Sequence, residues 1–479
     1  MAADGVKPME FLVQALSAAC ICFLGCQTGY VCAWPSYTVA NFTSNSSALS
    51  RPMTALEISL LGSLPNVGAL VTSPFCGFVF NTFGRKYATI LFGLPYVLAW
   101  TTISMTSDVH LVLAAMTVAG VGIAGQNVSL IYISEIAHDS IRGGLITASA
   151  SAYFLGLLVS YALGGHLSYM QVVYAHLALA VLCVALLALM KESPVYLVML
   201  GKEAEAAEAI AFYKRVSVPS KEVEAEIAKI KLQLDPDLES KLQSNSDPEE
   251  GSDLMKKKGK QSKKESQWRL LRRSRSSQRA LATTLVVIGA TVAMGSVVLQ
   301  VYAEPLFAEA TPSMPANRCS IFLALDFLIA SVLCALVIDR FGRKFLLIAT
   351  SLGSGACTLA LGVQLQLAVA PPWVTALLIY LYSFVYTLGC AVVPFVLASE
   401  VFLPEVRGLC NGISMGFVWV VTFLTLVVFN PLVDALGLGP VFYCFSAICF
   451  FGALYGHFCV PETKGLSPDQ IQALFLKTK

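Results

Sequence analysis

Acidic and basic side chains recur along this sequence at matching intervals. Glu135 precedes Arg142 by seven residues, and Glu400 precedes Arg407 by the same seven. Carboxylates and guanidiniums that lie close together form ion pairs, and such charges are costly next to apolar packing unless they are paired. We therefore predict two clusters of paired charges at helix ends. Their members are Arg85, Glu135, Arg142 and Glu192 in the first cluster and Asp339, Arg340, Arg343, Glu400, Arg407 and Glu462 in the second.

The two clusters belong to an internal repeat. The phrase F-G-R-K occurs at 83–86 and again at 341–344, and K-E-S-P at 191–194 corresponds to P-E-T-K at 461–464. With the glutamate–arginine pairs, these motifs keep the same order, at offsets of 258, 265 and 270 residues. Motifs in register indicate a duplicated architecture, so we predict two six-helix bundles around a shared cavity. The ion pairs would clamp the two halves in one conformation and break in the other; alternatively they are interfacial charges that only orient the helices.

The elements that carry these motifs are long apolar segments. Of the 479 residues, 56% are hydrophobic and 13% are charged, whereas a soluble domain has roughly a quarter charged residues. About 20 apolar residues suffice to cross a bilayer, which predicts an all-α membrane protein with twelve spans. The predicted spans are Phe11–Trp34, Ala55–Phe80, Tyr87–Met105, His110–Ile131, Gly144–Leu167, Gln171–Met190, Ala280–Tyr302, Cys319–Ile338, Phe345–Leu365, Pro372–Leu397, Leu409–Phe429 and Pro440–Val460.

Charge also predicts the orientation of the spans. Basic residues follow spans two, four, six, eight and ten, which places those loops and both termini in the cytoplasm of a multi-pass plasma-membrane protein. Two glycosylation sequons, at Asn41 and Asn45, fall in the first loop on the opposite side. The sequence shows no metal-ligand cluster, nucleophile elbow or phosphate loop. We therefore expect no enzyme, no cofactor, no metal and no nucleic-acid partner, and we expect a monomer.

The stretch between spans six and seven has a different composition. Residues 201–234 alternate acids, bases and alanine, which predicts one or two polar surface helices. Residues 235–278 lack apolar periodicity and are predicted to be disordered. Residues 254–279 hold eleven bases and one acid, which favours attraction to an anionic inner leaflet; alternatively, R-R-S-R-S-S at 272–277 is a phosphorylation or trafficking switch. The predicted units are a bundle at 1–200, a cytoplasmic segment and basic linker at 201–279, a bundle at 280–465 and a tail at 466–479.

Several polar side chains lie inside the predicted spans. Asp326 is about seven residues inside span eight, where a carboxylate costs several kcal/mol unless it is paired, protonated or facing water. It could bind substrate hydroxyls, couple to protons or form a structural pair. The other candidate ligands of this kind are Gln27, Gln126, Asn127 and Tyr153.

The motifs together resemble the sugar-porter family of the major facilitator superfamily, and most of all its insect trehalose-transporter branch. The phrase Y-I-S-E-I at 132–136 with R-G at 142–143 is similar to the family's span-four signature. D-R-F-G-R-K at 339–344 and P-E-T-K-G at 461–465 resemble two further family motifs. The resemblance covers the chain from span one to just beyond span twelve. It implies facilitative, uniport-like transport of a sugar such as trehalose or a hexose by alternating access.

The chain departs from the family pattern where the family holds sugar hydroxyls with amides. Ala150 stands where a glutamine is expected, T-V-A-M-G-S-V at 291–297 replaces an amide-rich run, and Val418 replaces an asparagine. The resemblance implies that Phe395 and Trp419 survive as aromatic ligands, and Thr291, which carries a hydroxyl where the family has an amide, is a further candidate ligand. Because lost amides weaken discrimination for hydroxylated solutes, two alternatives stay open. These are a carrier for a less polar solute and a sugar sensor that does not transport.

Overall fold

The fold is described from a computed structural model, which describes residues 7–234, 267–464, 466, 470–471 and 474–475. Across these residues it is built of α-helices. They are α1 Pro8–Thr43, α2 Ala55–Phe83, α3 Arg85–Met105, α4 Val109–Ala124, α5 Gln126–Ile136, α6 Asp139–Gly164, α7 Tyr169–Leu189, α8 Pro194–Met199, α9 Glu203–Lys214, α10 Lys221–Leu234, α11 Gln267–Arg273, α12 Arg275–Ala293, α13 Ser296–Val301, α14 Ala303–Ala310, α15 Ala316–Phe341, α16 Arg343–Leu367, α17 Pro372–Leu388, α18 Val393–Val401, α19 Pro404–Leu436 and α20 Leu438–Cys459.

Eleven segments of the described chain are helical, long and apolar enough to cross a membrane. The fourth and ninth of these eleven segments each combine two helices, α4 with α5 and α17 with α18. The remaining predicted span, Ala280–Tyr302, is not one helix but α12 and α13, with α14 beyond. Gly295 interrupts it with φ 95°, a left-handed conformation that favours glycine. The twelve predicted spans are thus present, and the seventh is broken in its middle.

Both ends of the described chain lie on the same face as helices α8–α11. Lys7 forms an ion pair with Glu222 of α10 at 3.0 Å, and Arg279 donates a hydrogen bond to the Phe475 carbonyl at 3.2 Å. We call this the linker face. We call the opposite face, which carries the loop 44–54, the sequon face.

The two halves meet along a seam that runs toward the sequon face. Helix α2 packs on α19, where Asn430 Nδ2 donates to Ser59 Oγ at 3.1 Å. Helix α6 packs on α15, where Phe154 stacks on Phe327 with ring centroids 5.4 Å apart. Gly144 and Gly412 lie near the linker-face ends of α6 and α19. A Cβ on Gly144 or Gly412 would meet no described atom within 4 Å.

Two local predictions are wrong. Residues 267–273, predicted to be disordered, form helix α11, because Leu271 buries its side chain against Val406 and Phe475. Tertiary packing here overrides a polar, basic composition. Asn41, predicted to lie in the first loop, is in the last turn of α1, and its Oδ1 accepts the Ala48 N–H at 3.0 Å. Asn45 is in the loop and exposed.

Candidate functional site

The first charge cluster joins three segments of the amino-terminal half. Arg85, at the start of α3, is 5% exposed and pairs with Glu135 of α5 at 2.7 Å. Ser193 Oγ donates to the other Glu135 oxygen at 2.5 Å. Glu192 accepts the backbone N–H groups of Arg85 at 2.8 Å and Lys86 at 3.0 Å. These bonds connect α3, α5 and the segment that follows α7.

The second cluster repeats the first with equivalent residues. Arg343 pairs with Glu400 at 2.9 Å, and Thr463 Oγ1 donates to Glu400 at 2.5 Å. Glu462 accepts the N–H groups of Arg343 at 2.9 Å and Lys344 at 3.1 Å. Burial alone would raise the pKa of Glu462, but the backbone donors outweigh it and hold this pKa below its ordinary value. The carboxylate therefore stays charged at neutral pH and caps the start of α16.

Glycine is required at the corner that each cluster surrounds. Gly84 and Gly342 have φ angles of 89° and 85°. A Cβ would lie 2.4 Å from a Glu192 oxygen at Gly84 and 2.7 Å from a Glu462 oxygen at Gly342. Both F-G-R-K motifs are therefore tight turns closed over a carboxylate.

The ion pairs described in the two clusters each connect segments of one half. Arg85 and Glu135 belong to the amino-terminal half, and Arg343 and Glu400 to the carboxy-terminal half. A buried carboxylate and guanidinium separate only at high cost, so these pairs persist and brace each half from inside. That the charges also clamp the two halves in one conformation stays a prediction.

The remaining predicted members of the two clusters are Arg142, Arg407, Arg340 and Asp339. Arg142 lines a linker-face cavity of about 290 Å³ with Glu135, His138 and Lys229. Arg407 contacts the Phe402 carbonyl at 3.4 Å. The carbonyl of exposed Arg340 accepts a bond from Lys464 at 3.0 Å. The side chain of Asp339 lies outside the described residues.

Three of the predicted ligands contact the seam or sit beside it. Tyr153 on α6 donates from its hydroxyl to Gln300 Oε1 of α13 at 2.7 Å. Trp419 on α19 donates from Nε1 to Ser73 Oγ of α2 at 2.9 Å. Asp326 accepts a hydrogen bond from Ser383 of α17, and its neighbour Phe327 faces the other half. Half-buried Gln126 begins α5 and Phe395 is 37% exposed, while the side chain of Asn127 lies outside the described residues.

Two predicted ligands are packed inside their own halves. Gln27 is fully buried and donates to the Leu179 carbonyl at 3.1 Å. Thr291 is 3% exposed and donates to the Val287 carbonyl at 2.9 Å. The Thr291 hydroxyl is satisfied by backbone, whereas the Gln27 amide has its Nε2 bonded and its buried Oε1 without a partner among the described residues. An unpaired polar atom is costly in an apolar interior. That Gln27 and Thr291 bind substrate stays a prediction.

Sequence reasoning missed Gln300. Its side chain accepts from Tyr153, and its carbonyl accepts from the Tyr161 hydroxyl, so α13 is bonded twice to α6 of the other half. The family resemblance predicts amides only at the positions that the family uses, and Gln300 is not one of these. A glutamine within predicted span seven was a signal in its own right, since polar side chains in membrane helices face the bundle interior or water.

Twelve spans in two repeated halves, with a seam closed at one face and charge clusters at the other, define a membrane protein of the major facilitator fold. The fold is similar to that of the inward-open xylose transporter XylE from E. coli, with a TM-score of 0.74 and 19% identity over 95% of this chain and 98% of that one. It is also similar to a D-xylose-proton symporter, with a TM-score of 0.70 and 20% identity over 95% and 99%. The chain belongs to the sugar (and other) transporter family, whose model matches residues 17–475.

Its curated relatives include insect proteins named facilitated trehalose transporter Tret1, as the resemblance predicted. The Drosophila pseudoobscura protein is 23% identical over 97% of this chain and 51% of its own length. The Polypedilum vanderplanki protein is 22% identical over 97% and 88%. The Bombyx mori protein is 24% identical over 88% and 80%. The chain thus spans about half the length of the Drosophila pseudoobscura protein and most of the length of the other two.

Proposed function

We propose that this chain is a facilitative carrier for a sugar such as trehalose or a hexose, working by alternating access. The observation that carries this is the asymmetry of the seam. Contacts between the halves such as Ser59–Asn430 close the sequon face, whereas near the linker face a Cβ on Gly144 or Gly412 would meet no described atom within 4 Å. Two repeated, internally braced halves of this kind can rock about a central site.

The proposal includes an orientation and a location. The linker face is cytoplasmic, with both termini, and the sequon face is outside at the plasma membrane, with Asn45 the better glycan acceptor of the two sequons. This assignment follows the basic loops and makes the structure an inward-facing state. The unit boundaries at 200, 279 and 465 are proposed with it.

The basic segment supports an interaction with anionic lipid. Of residues 254–279, the part from 267 is described, and there Trp268 is 55% exposed beside exposed Arg269 and Arg272. Leu271 anchors the opposite side of α11 in the apolar interior. Tryptophan and arginine together favour the headgroup region of a negatively charged leaflet. Residues 254–266 lie outside the described residues.

Uptake into vesicles tests the proposed function. Purified full chain in lipid vesicles should take up labelled trehalose or glucose saturably, at the same rate at two external pH values, as a uniporter does. A rate that rises with external acidity would contradict uniport. Binding without flux would favour the sensor, and flux of less polar solutes alone would favour the other carrier.

Asp326 and Trp419 are proposed to act in this uptake. We expect Asp326→Asn combined with Trp419→Ala to lower uptake at least about tenfold, which corresponds to about 1.4 kcal/mol of lost interaction. Charged hydrogen bonds are roughly twice as strong as neutral ones, so the loss of this carboxylate is significant. Asp434→Asn, at an exposed position on α19, is the control. Uptake by the double variant at the control's rate would exclude both residues from the site.

A further inference from the structure

Gln300 is held between the two halves by groups from both of them. It lies on α13, just beyond the break at Gly295. Its Oε1 accepts the Tyr153 hydroxyl of α6 at 2.7 Å, and its Nε2 donates to Ser296 Oγ of its own helix at 3.2 Å. The amide is therefore fixed in one orientation by the opposite half and by the turn below it.

The amide retains hydrogen-bonding capacity in this arrangement. A primary amide has two N–H donors and an oxygen with two lone pairs. The two side-chain bonds described use one N–H and one lone pair. One donor and one acceptor are left on the same planar group. A sugar hydroxyl, which both donates and accepts, matches such a group.

The position of Gln300 along the seam suits contact with a solute. Beyond it, toward the sequon face, Tyr302 is 2% exposed against Ile58 and Ser59, and the Glu304 N–H donates to Ser36 Oγ at 2.9 Å. These contacts close the path. Gln300 itself is half-buried, and its Nε2 points one turn back toward the linker face, at Ser296. The amide thus lies on the linker-face side of these closing contacts.

We propose that Gln300 is a specificity-determining residue of this carrier, and that it binds a substrate hydroxyl through its remaining N–H donor and oxygen lone pair. Tyr153 is the positioning residue that holds the amide. The assignment rests on the proposed sugar transport. It explains how the chain recognises hydroxylated solutes although Ala150 and Val418 occupy positions where amides were expected. Because Tyr153 belongs to the other half, the amide is held in place when the sequon face is closed.

The test pairs variants with substrate analogues. Full-length chain in lipid vesicles is assayed for competition of labelled glucose uptake by glucose and by each monodeoxyglucose. We expect Gln300→Leu to lower the affinity of the carrier for glucose at least about tenfold. Its affinity for one particular deoxy analogue should stay unchanged. That analogue lacks the hydroxyl that the amide binds, so removing the amide does not change its affinity. Tyr153→Phe should show the same pattern with a smaller factor.

Gln366→Leu is the matched control. Gln366 also accepts a tyrosine hydroxyl, that of Tyr443 at 3.0 Å, but it is exposed and both residues are in the carboxy-terminal half. Its replacement should leave every affinity unchanged. Gln300→Asn keeps an amide on a shorter side chain, so it tests the assignment if the leucine variant does not fold. It should lower the affinity for glucose and leave the affinity for the same deoxy analogue unchanged.

The outcomes separate this assignment from the proposed function. If the Gln300 variants lower the affinities for glucose and all of its analogues equally, or lower none of them, the residue is structural. The assignment is then wrong, while the proposal of sugar transport stands. If the unaltered chain takes up no sugar above empty vesicles, both the transport proposal and the assignment fail.

Discussion

Glu135→Ala is expected to destabilise the protein by about 3–5 kcal/mol, the usual cost of removing one partner of a buried ion pair. The variant would leave the Arg85 guanidinium charged and 5% exposed, between the rings of Phe80 and Tyr196 at 5.1 Å each. Ser193 would also lose its acceptor. Thermal unfolding of the purified chain in detergent measures the loss, and vesicle uptake should fall with it.

Two controls define the meaning of this result. Glu205→Ala removes an ion pair with Lys202 at 3.0 Å, but both partners are more than half exposed, so the cost should be below about 1 kcal/mol. Replacing both Arg85 and Glu135 with leucine should recover part of the stability, because no unpaired charge remains. If Glu135→Ala unfolds at the same temperature as Glu205→Ala, the cluster does not brace the amino-terminal half.

Gly62→Trp is expected to reduce uptake to below about a tenth by preventing closure of the sequon face. A Cβ at Gly62 would lie 2.6 Å from Val301 Cγ1 and 2.8 Å from the Tyr302 hydroxyl, both in the other half. Overpacking costs about 1–3 kcal/mol, and here the cost falls only on the conformation with the closed seam. A carrier that cannot reach one of its two states cannot complete the cycle.

The same helix provides the control for this substitution. At Gly77 of α2 a Cβ meets no described atom within 4 Å, so Gly77→Trp should transport at close to the unaltered rate. Both variants should elute as folded protein, because Gly62→Trp has room when the seam is open. Normal uptake by Gly62→Trp would show that the seam does not need to close during transport.

The sequence predicted the spans well because each depends on the length and apolarity of one segment. It predicted the equivalence of the two clusters because Arg85 and Arg343 occur in repeated motifs. Helix packing decides which groups those arginines contact. Each arginine forms an ion pair with a glutamate of its own half. The break at Gly295, the packing of Leu271 and the bond from Tyr153 to Gln300 likewise arise from contacts between distant segments. No local pattern encodes them.

Reversible bridging of the sequon-face seam tests the central claim that the halves rock apart there. Ser59→Cys with Asn430→Cys replaces a hydrogen-bonded pair from opposite halves, 3.1 Å apart. A short bis-thiosulfonate reagent, which forms a disulfide with each cysteine and releases sulfinate, should stop sugar uptake in the double variant. A reducing agent should restore it. Each single variant should keep its uptake in the presence of the reagent, although the chain has fourteen native cysteines. Complete bridging with undiminished uptake would contradict alternating access in this chain.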